Sequence, residues 1–139
     1  MSRVGDDILD GLVAAASEAR ERFYAPYSGF AVGAAIFAGG RTFVGVNIEN
    51  ASYPMSVCAE RNAVAVAVAA GHHRIDAVAV VGSSESGITP PCGGCRQVLY
   101  EFGGPALAVI AESLAGDVRE TFSLGDLLPA AFGPRDLLL

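Results

Sequence analysis

Strand-like and helix-like segments alternate along this chain, and that alternation constrains its fold more than any other feature. Residues 6–24 carry Leu9, Leu12, Val13, Ala16 and Phe23 near a period of about 3.6 residues, the mark of an amphipathic helix. Pro26 and Gly29 in "APYSGF" end it. "AVGAAIF" and "TFVGVNI" then read as two strands, and the short "AGGR" link between them favours an antiparallel hairpin. After the loop "ENASYPMS", in which Ser56 is a candidate helix cap, comes "VCAERNAVAVAVAAG". Its alternating valines suit a strand. Its length, its many alanines and a stop at Gly71 favour a helix, one with no polar face and therefore expected to lie buried between layers.

"IDAVAVVG" is strand-like by its β-branched content. "PCGGCRQVLYEFGG" is a helix entered after Pro-Pro and closed by Gly103 and Gly104. "ALAVIAE" and "VRETFSL" are joined too closely for a helical crossover, so they pair antiparallel. A short helix and an irregular tail finish the chain. The pattern predicts an α/β fold, a three-layer α/β/α sandwich around a mixed sheet of about five strands. No linker, repeat or low-complexity tract divides the 139 residues, and a single domain over 1–139 is expected.

Composition excludes several function classes. The formal charge is −6, and all nine basic residues are scattered arginines with no lysine, so a polyphosphate partner is disfavoured and no nucleic acid is expected. The N-terminus lacks a secretory signal core, and the most apolar run, 62–70, is too short to cross a bilayer. No membrane association is expected, and the cytoplasm is the default location. The high apolar content favours self-association.

The chemistry-bearing residues are the three cysteines, Cys58, Cys92 and Cys95, and the glutamate Glu60. Each cysteine group falls at a helix start, where backbone N–H groups and the dipole favour thiolate. The C-x-x-C spacing lets two sulfurs reach one tetrahedral zinc. Three thiolates leave one position open to water, which zinc polarises toward a nucleophile. Glu60 is a poor fourth ligand, because residues i and i+2 of a helix do not share a face, but it can curl round beside a metal at the helix end. Arg61 or Arg96 can offset the negative charge of the thiolates. Three other readings remain open from the residues themselves: a redox C-x-x-C pair, a structural zinc completed by His72 or His73, and three inert core cysteines.

C-A-E at 58–60 followed by P-C-G-G-C at 91–95 resembles the zinc-dependent nucleobase deaminase pattern. With "APYSGFAVGAA", "GVNIENASYP", "CAER", "PCGGCRQ" and "LLPAAFGP" in that order, the chain closely resembles the small, homotetrameric cytidine deaminases of pyrimidine salvage, from about Tyr24 to Leu137. The resemblance implies hydrolytic deamination of cytidine and deoxycytidine to uridine and deoxyuridine, with one zinc per subunit. It implies that Cys58, Cys92 and Cys95 are zinc ligands and that Glu60 is the proton shuttle. Asn47 and Glu49 resemble the pair that holds the ribose hydroxyls, and Phe30 an aromatic wall of the pocket. Tyr53 and Phe132 resemble residues that close a neighbouring subunit's pocket. The Ala59 N–H and a carbonyl near Ser28 or Pro91 are candidates for the amide edge of the base. On residues alone, Asn47 and Glu49 also fit an ordinary polar turn, and Phe132 a core plug. Rival substrates are another small nucleoside, such as blasticidin S, and a polynucleotide.

Overall fold

The computed structural model describes residues 4–85 and 87–137; the expected span of 1–139 thus extends slightly beyond the described residues. α1 (Asp6–Arg20) leads into β1 (Val32–Ala38) and β2 (Arg41–Val46), and a 3-10 turn (Tyr53–Met55) precedes α2 (Ala59–Ala69). β3 (Ala77–Gly82), α3 (Gly93–Gly103), β4 (Ala108–Glu112) and β5 (Arg119–Ser123) follow, and the short α4 (Leu124–Leu127) and α5 (Pro134–Leu137) close the order. The sheet runs β2-β1-β3-β4-β5. β3 and β4 are parallel, and the remaining pairs are antiparallel, including β1 with β2 and β4 with β5 as the short links required.

Side-chain alternation divides the core into two layers. Ala34, Ile36, Val78, Val80 and Val109 point toward α2 and α3 with Leu99 and Leu107. Ala35, Ala79, Val81 and Ile110 point the other way, against Leu12, Val13 and Ala16 of α1. All of β3 is buried, as a central strand covered by helices on both faces must be. The expected α/β/α sandwich with its mixed five-stranded sheet is therefore the observed architecture.

Two glycines bring the helices close to the sheet. A Cβ at Gly33 would stand 2.0 Å from the Ala16 carbonyl oxygen of α1, and one at Gly45 would stand 2.4 Å from the Ala63 nitrogen of α2. Such contacts admit no side chain.

Three local expectations need correction. The first helix stops at Arg20 rather than Tyr24, because Tyr24 exchanges backbone hydrogen bonds with Asn47 and Glu49 instead of continuing the turn. The cap of α2 is Cys58, not Ser56, whose backbone N–H closes the preceding 3-10 turn on Tyr53. α2 is not buried all round: Ala59, Ala63, Val64 and Ala67 face the sheet, while Ala65, Val66 and Ala69 are exposed apolar residues.

Candidate active site

The connection β3–α3–β4 is a βαβ unit, so α3 begins at the C-terminal end of β3 and runs back along the sheet. α2 lies on the same face and opens beside it, bringing two helix N-termini together. Cys58 is the N-cap residue of α2 and Cys92 that of α3, both in extended backbone with no side-chain capping bond, and Cys95 follows in the first turn of α3. Their sulfurs converge: Cys58 to Cys92 is 3.9 Å and Cys92 to Cys95 is 3.4 Å, with all three within 4.8 Å of one another. Four ligands around zinc at a Zn–S distance of about 2.3 Å have edges of about 3.8 Å, so the donor set and its spacing fit that ion.

The protonation energetics also call for a cation. The Cys58 thiol is drawn down to about 6, chiefly by a hydrogen bond from the Cys95 thiol, then by Cys92 and by the positive charge of Arg61, all against the effect of burial. Cys95 is pushed far up, mainly because it is the donor in that same contact. The Cys58 thiolate is thus stabilised at the expense of Cys95, and three thiolates at once need a positive centre.

Glu60, in the first turn of α2, is 4% exposed. Burial pushes its carboxyl up to about 7, the Cys58 charge adds to the rise, and its own backbone N–H, the Cys95 thiol and Arg61 oppose it. A carboxyl tuned near neutrality can both take and give a proton. Of the two candidate arginines, Arg96 is committed elsewhere: its Nε donates to the Pro91 carbonyl and its Nη1 to the Leu127 carbonyl, both at 2.8 Å. Arg61 donates through Nη2 to the Ser56 carbonyl at 3.3 Å, and its buried Nε has no hydrogen-bond partner among the described residues.

A cavity of about 260 Å³ opens from the sulfurs and is lined by Cys58, Ala59, Glu60 and Cys92 at one end and by Phe30, Asn47 and Glu49 at the other. Ala59 is the first residue of α2, where backbone N–H groups lack an acceptor within the helix. Asn47 is partly engaged already. Its Nδ2 donates to the Phe30 carbonyl at 2.7 Å, and its Oδ1 accepts from the Val32 N–H at 2.9 Å. One amide hydrogen and one lone pair remain free. Glu49 accepts from the N–H groups of Tyr27 and Ser28 and from the Ser28 hydroxyl, and that hydroxyl chiefly holds its carboxyl below the ordinary value.

Tyr53 and Phe132 do not line this cavity; both are surface rings, 70% and 58% exposed. Pro91 is also absent from the lining, its carbonyl being held by Arg96, and Thr89 and Pro90 stand in the wall instead. His72 packs against the Phe43 ring at 5.3 Å between centroids, and the metal-competent cluster among the described residues contains no histidine. Sequence reasoning gave Ser28 no side-chain role. Its hydroxyl accepts from the Phe30 N–H two residues on, a local turn that the Ser-Gly dipeptide in "YSGF" could have signalled.

Residues 8–111 match the family model described as the cytidine and deoxycytidylate deaminase zinc-binding region. The cytidine deaminase of Sporosarcina psychrophila is 45% identical over 130 residues, covering 93% of this chain and 94% of that protein. That of Halalkalibacterium halodurans is 42% identical over 127 residues, covering 91% and 95%. Among solved structures, cytidine deaminase from Burkholderia pseudomallei superposes with a TM-score of 0.84 at 49% identity, covering 88% of this chain and 98% of that one.

Proposed function

Because this chain belongs to the cytidine and deoxycytidylate deaminase family, we propose that it hydrolyses cytidine and deoxycytidine to uridine and deoxyuridine, releasing ammonia, as one deaminase domain of pyrimidine salvage. It is a zinc enzyme with one ion per subunit, and Cys58, Cys92 and Cys95 are the residues that would hold it. When bound, the ion supplies Lewis acidity that polarises water toward hydroxide.

The chain's own groups do the rest. Glu60 takes a proton from water and delivers it to N3 of the base, which makes C4 electrophilic. The hydroxide left by that transfer adds at C4, and Glu60 then carries the remaining hydroxyl proton to the amine as the C4–N bond breaks. Ammonia and the uracil nucleoside account for all atoms. Proton transfer by a positioned carboxyl is typically worth about 10²–10⁴-fold. Arg61 offsets part of the thiolate charge. The Ala59 N–H meets the amide edge of the base, and Phe30 packs against the nucleoside.

The observation that carries this reading is the cavity with two chemically opposite ends, two of the three clustered sulfurs and a buried carboxyl at one and an amide–carboxylate pair at the other. Asn47 retains a free N–H to donate to a sugar hydroxyl, and Glu49 accepts from one. The same end favours nucleosides over nucleotides. Glu49 is held toward its ionised form, and the cavity lining contains no Arg, Lys or His to meet a phosphate. A side-by-side ultraviolet assay of cytidine, deoxycytidine, cytosine and cytidine monophosphate tests this. Both nucleosides should be deaminated more efficiently than cytosine or the monophosphate, and preference for the monophosphate would overturn it.

The active form is a homotetramer whose pockets are shared between subunits. The exposed rings of Tyr24, Tyr27, Tyr53 and Phe132, with Met55 and Val66, are apolar surface that association with further copies of the chain can bury. Tyr53 and Phe132 close a neighbour's cavity. Mixing a Glu60→Ala chain with a Phe132→Ala chain should then restore activity, and no recovery would overturn sharing. No helix among the described residues is long and apolar enough to cross a membrane, and the enzyme works in the cytoplasm.

A further inference from the structure

Phe132 combines two properties that do not usually go together: its ring lies in water, yet its backbone is tightly held. The Gln97 side chain, on α3, donates through Nε2 to the Phe132 carbonyl at 2.8 Å. The next residue, Gly133, packs so closely on Tyr100 of the same helix that a Cβ there would stand 2.4 Å from the ring. The Gly133 N–H donates to Asp136 Oδ2, also at 2.8 Å. Upstream, Arg96 holds the Leu127 carbonyl. Ala130 adopts a φ of 52°, a left-handed conformation that a residue with a Cβ seldom takes without being held there. Three side chains of α3, at 96, 97 and 100, thus clamp a segment whose most apolar residue is left unburied. Burial of Phe132 in its own core does not explain the clamp, because the ring is not there.

We propose that Gln97 is a positioning residue which, through the Phe132 carbonyl, fixes how that ring enters a neighbouring subunit's cavity. This rests on the shared-pocket reading above. Gln97 itself touches no substrate. Its position two residues after Cys95, on the helix that starts at the sulfur cluster, ties the direction of the Phe132 ring to the element that carries two of the three sulfurs. The metal-bearing helix of one subunit and the ring it lends to the next are therefore held as one rigid piece.

A double-substitution cycle tests this in the assembled, zinc-loaded enzyme, using Gln97→Met, Phe132→Ala and their combination. KM and kcat for cytidine, melting temperature and sedimentation are measured for each. Loss of one hydrogen bond should raise KM about 3- to 10-fold in Gln97→Met with kcat within about twofold. In the Phe132→Ala background the same substitution should change KM by less than about 1.5-fold, because the ring it positions is gone. Gln97→Glu, nearly isosteric but unable to donate when ionised, should behave like Gln97→Met. An unchanged KM in Phe132→Ala overturns the shared pocket and this role with it. A raised KM in Phe132→Ala, with Gln97→Met equally harmful in both backgrounds or harmless in both, overturns the positioning role alone. Failure of both Gln97 variants to assemble makes the residue a stability contact and also overturns it.

Discussion

The two ends of the cavity are built by different means. At the sulfur end every chemical group sits at the N-cap or in the first turn of a helix, and both helices are pinned to the sheet by buried side chains. At the opposite end the groups stand on loops after β2 and before β1, and hydrogen bonds of the Ser28 and Asn47 side chains hold them in place. The closed end excludes water from Glu60 and so raises its proton affinity. At the open end the Ser28 hydroxyl, helped by the Ser28 and Tyr27 N–H groups, holds the Glu49 carboxyl low. One cavity thereby holds two carboxylates in opposite protonation regimes, one suited to moving protons and the other to accepting hydrogen bonds.

The largest effect that should separate the ends is removal of a sulfur. Cys58→Ala should lose bound zinc and activity together, and metal analysis alongside the assay checks both. Retention of one zinc per chain would exclude Cys58 as a ligand. Glu60→Gln should keep its zinc and its melting temperature while kcat falls about 10²- to 10⁴-fold; near-normal turnover removes the shuttle.

Gly45→Ala asks whether the closed end depends on the close approach of α2 to the sheet. It should destabilise the fold by about 1–3 kcal/mol, because the Ala63 backbone cannot retreat without moving Cys58 and Glu60. Thermal denaturation measures it, and unchanged stability would show that α2 yields freely. At the open end, Phe132→Ala should raise the nucleoside dissociation constant by about 5- to 150-fold if its stacking is worth about 1–3 kcal/mol. Calorimetric titration of the Glu60→Gln protein with cytidine, with and without Phe132→Ala, reads that difference without turnover. Ser28→Ala should have the smallest effect, a rise in KM of about 2- to 10-fold with kcat retained, since it removes one hydrogen bond to Glu49. An equal fall in kcat would place Ser28 in the chemical step.

The closed end was the more legible in the sequence, and the reason is local. Helix starts, a C-x-x-C pair and a glutamate two residues after a cysteine are short-range signals, and the order of strands and helices already required a layered sheet. The open end depends on contacts between residues far apart in the chain. Ser28 meets Glu49 across 21 residues and Gln97 meets Phe132 across 35, and no periodicity encodes such meetings. The partial exposure of α2 was hidden for a related reason. From Ala63 onward its sequence is apolar all round, so periodicity could not say which face turns outward; Gly45 settles it by admitting the Ala59–Ala63 side to the sheet. Nor could the sequence show that Arg96 finds the distant Leu127 carbonyl while the buried Nε of Arg61 has no partner among the described residues.

X-ray absorption at the zinc edge, on the wild type and on Glu60→Gln, tests most directly the proposal that Cys58, Cys92 and Cys95 hold the metal with Glu60 beside it. Three sulfur scatterers at about 2.3 Å and one oxygen or nitrogen, identical in the two proteins, are expected. A fourth sulfur, fewer than three, or an oxygen shell that changes when Glu60 is replaced would contradict the assignment.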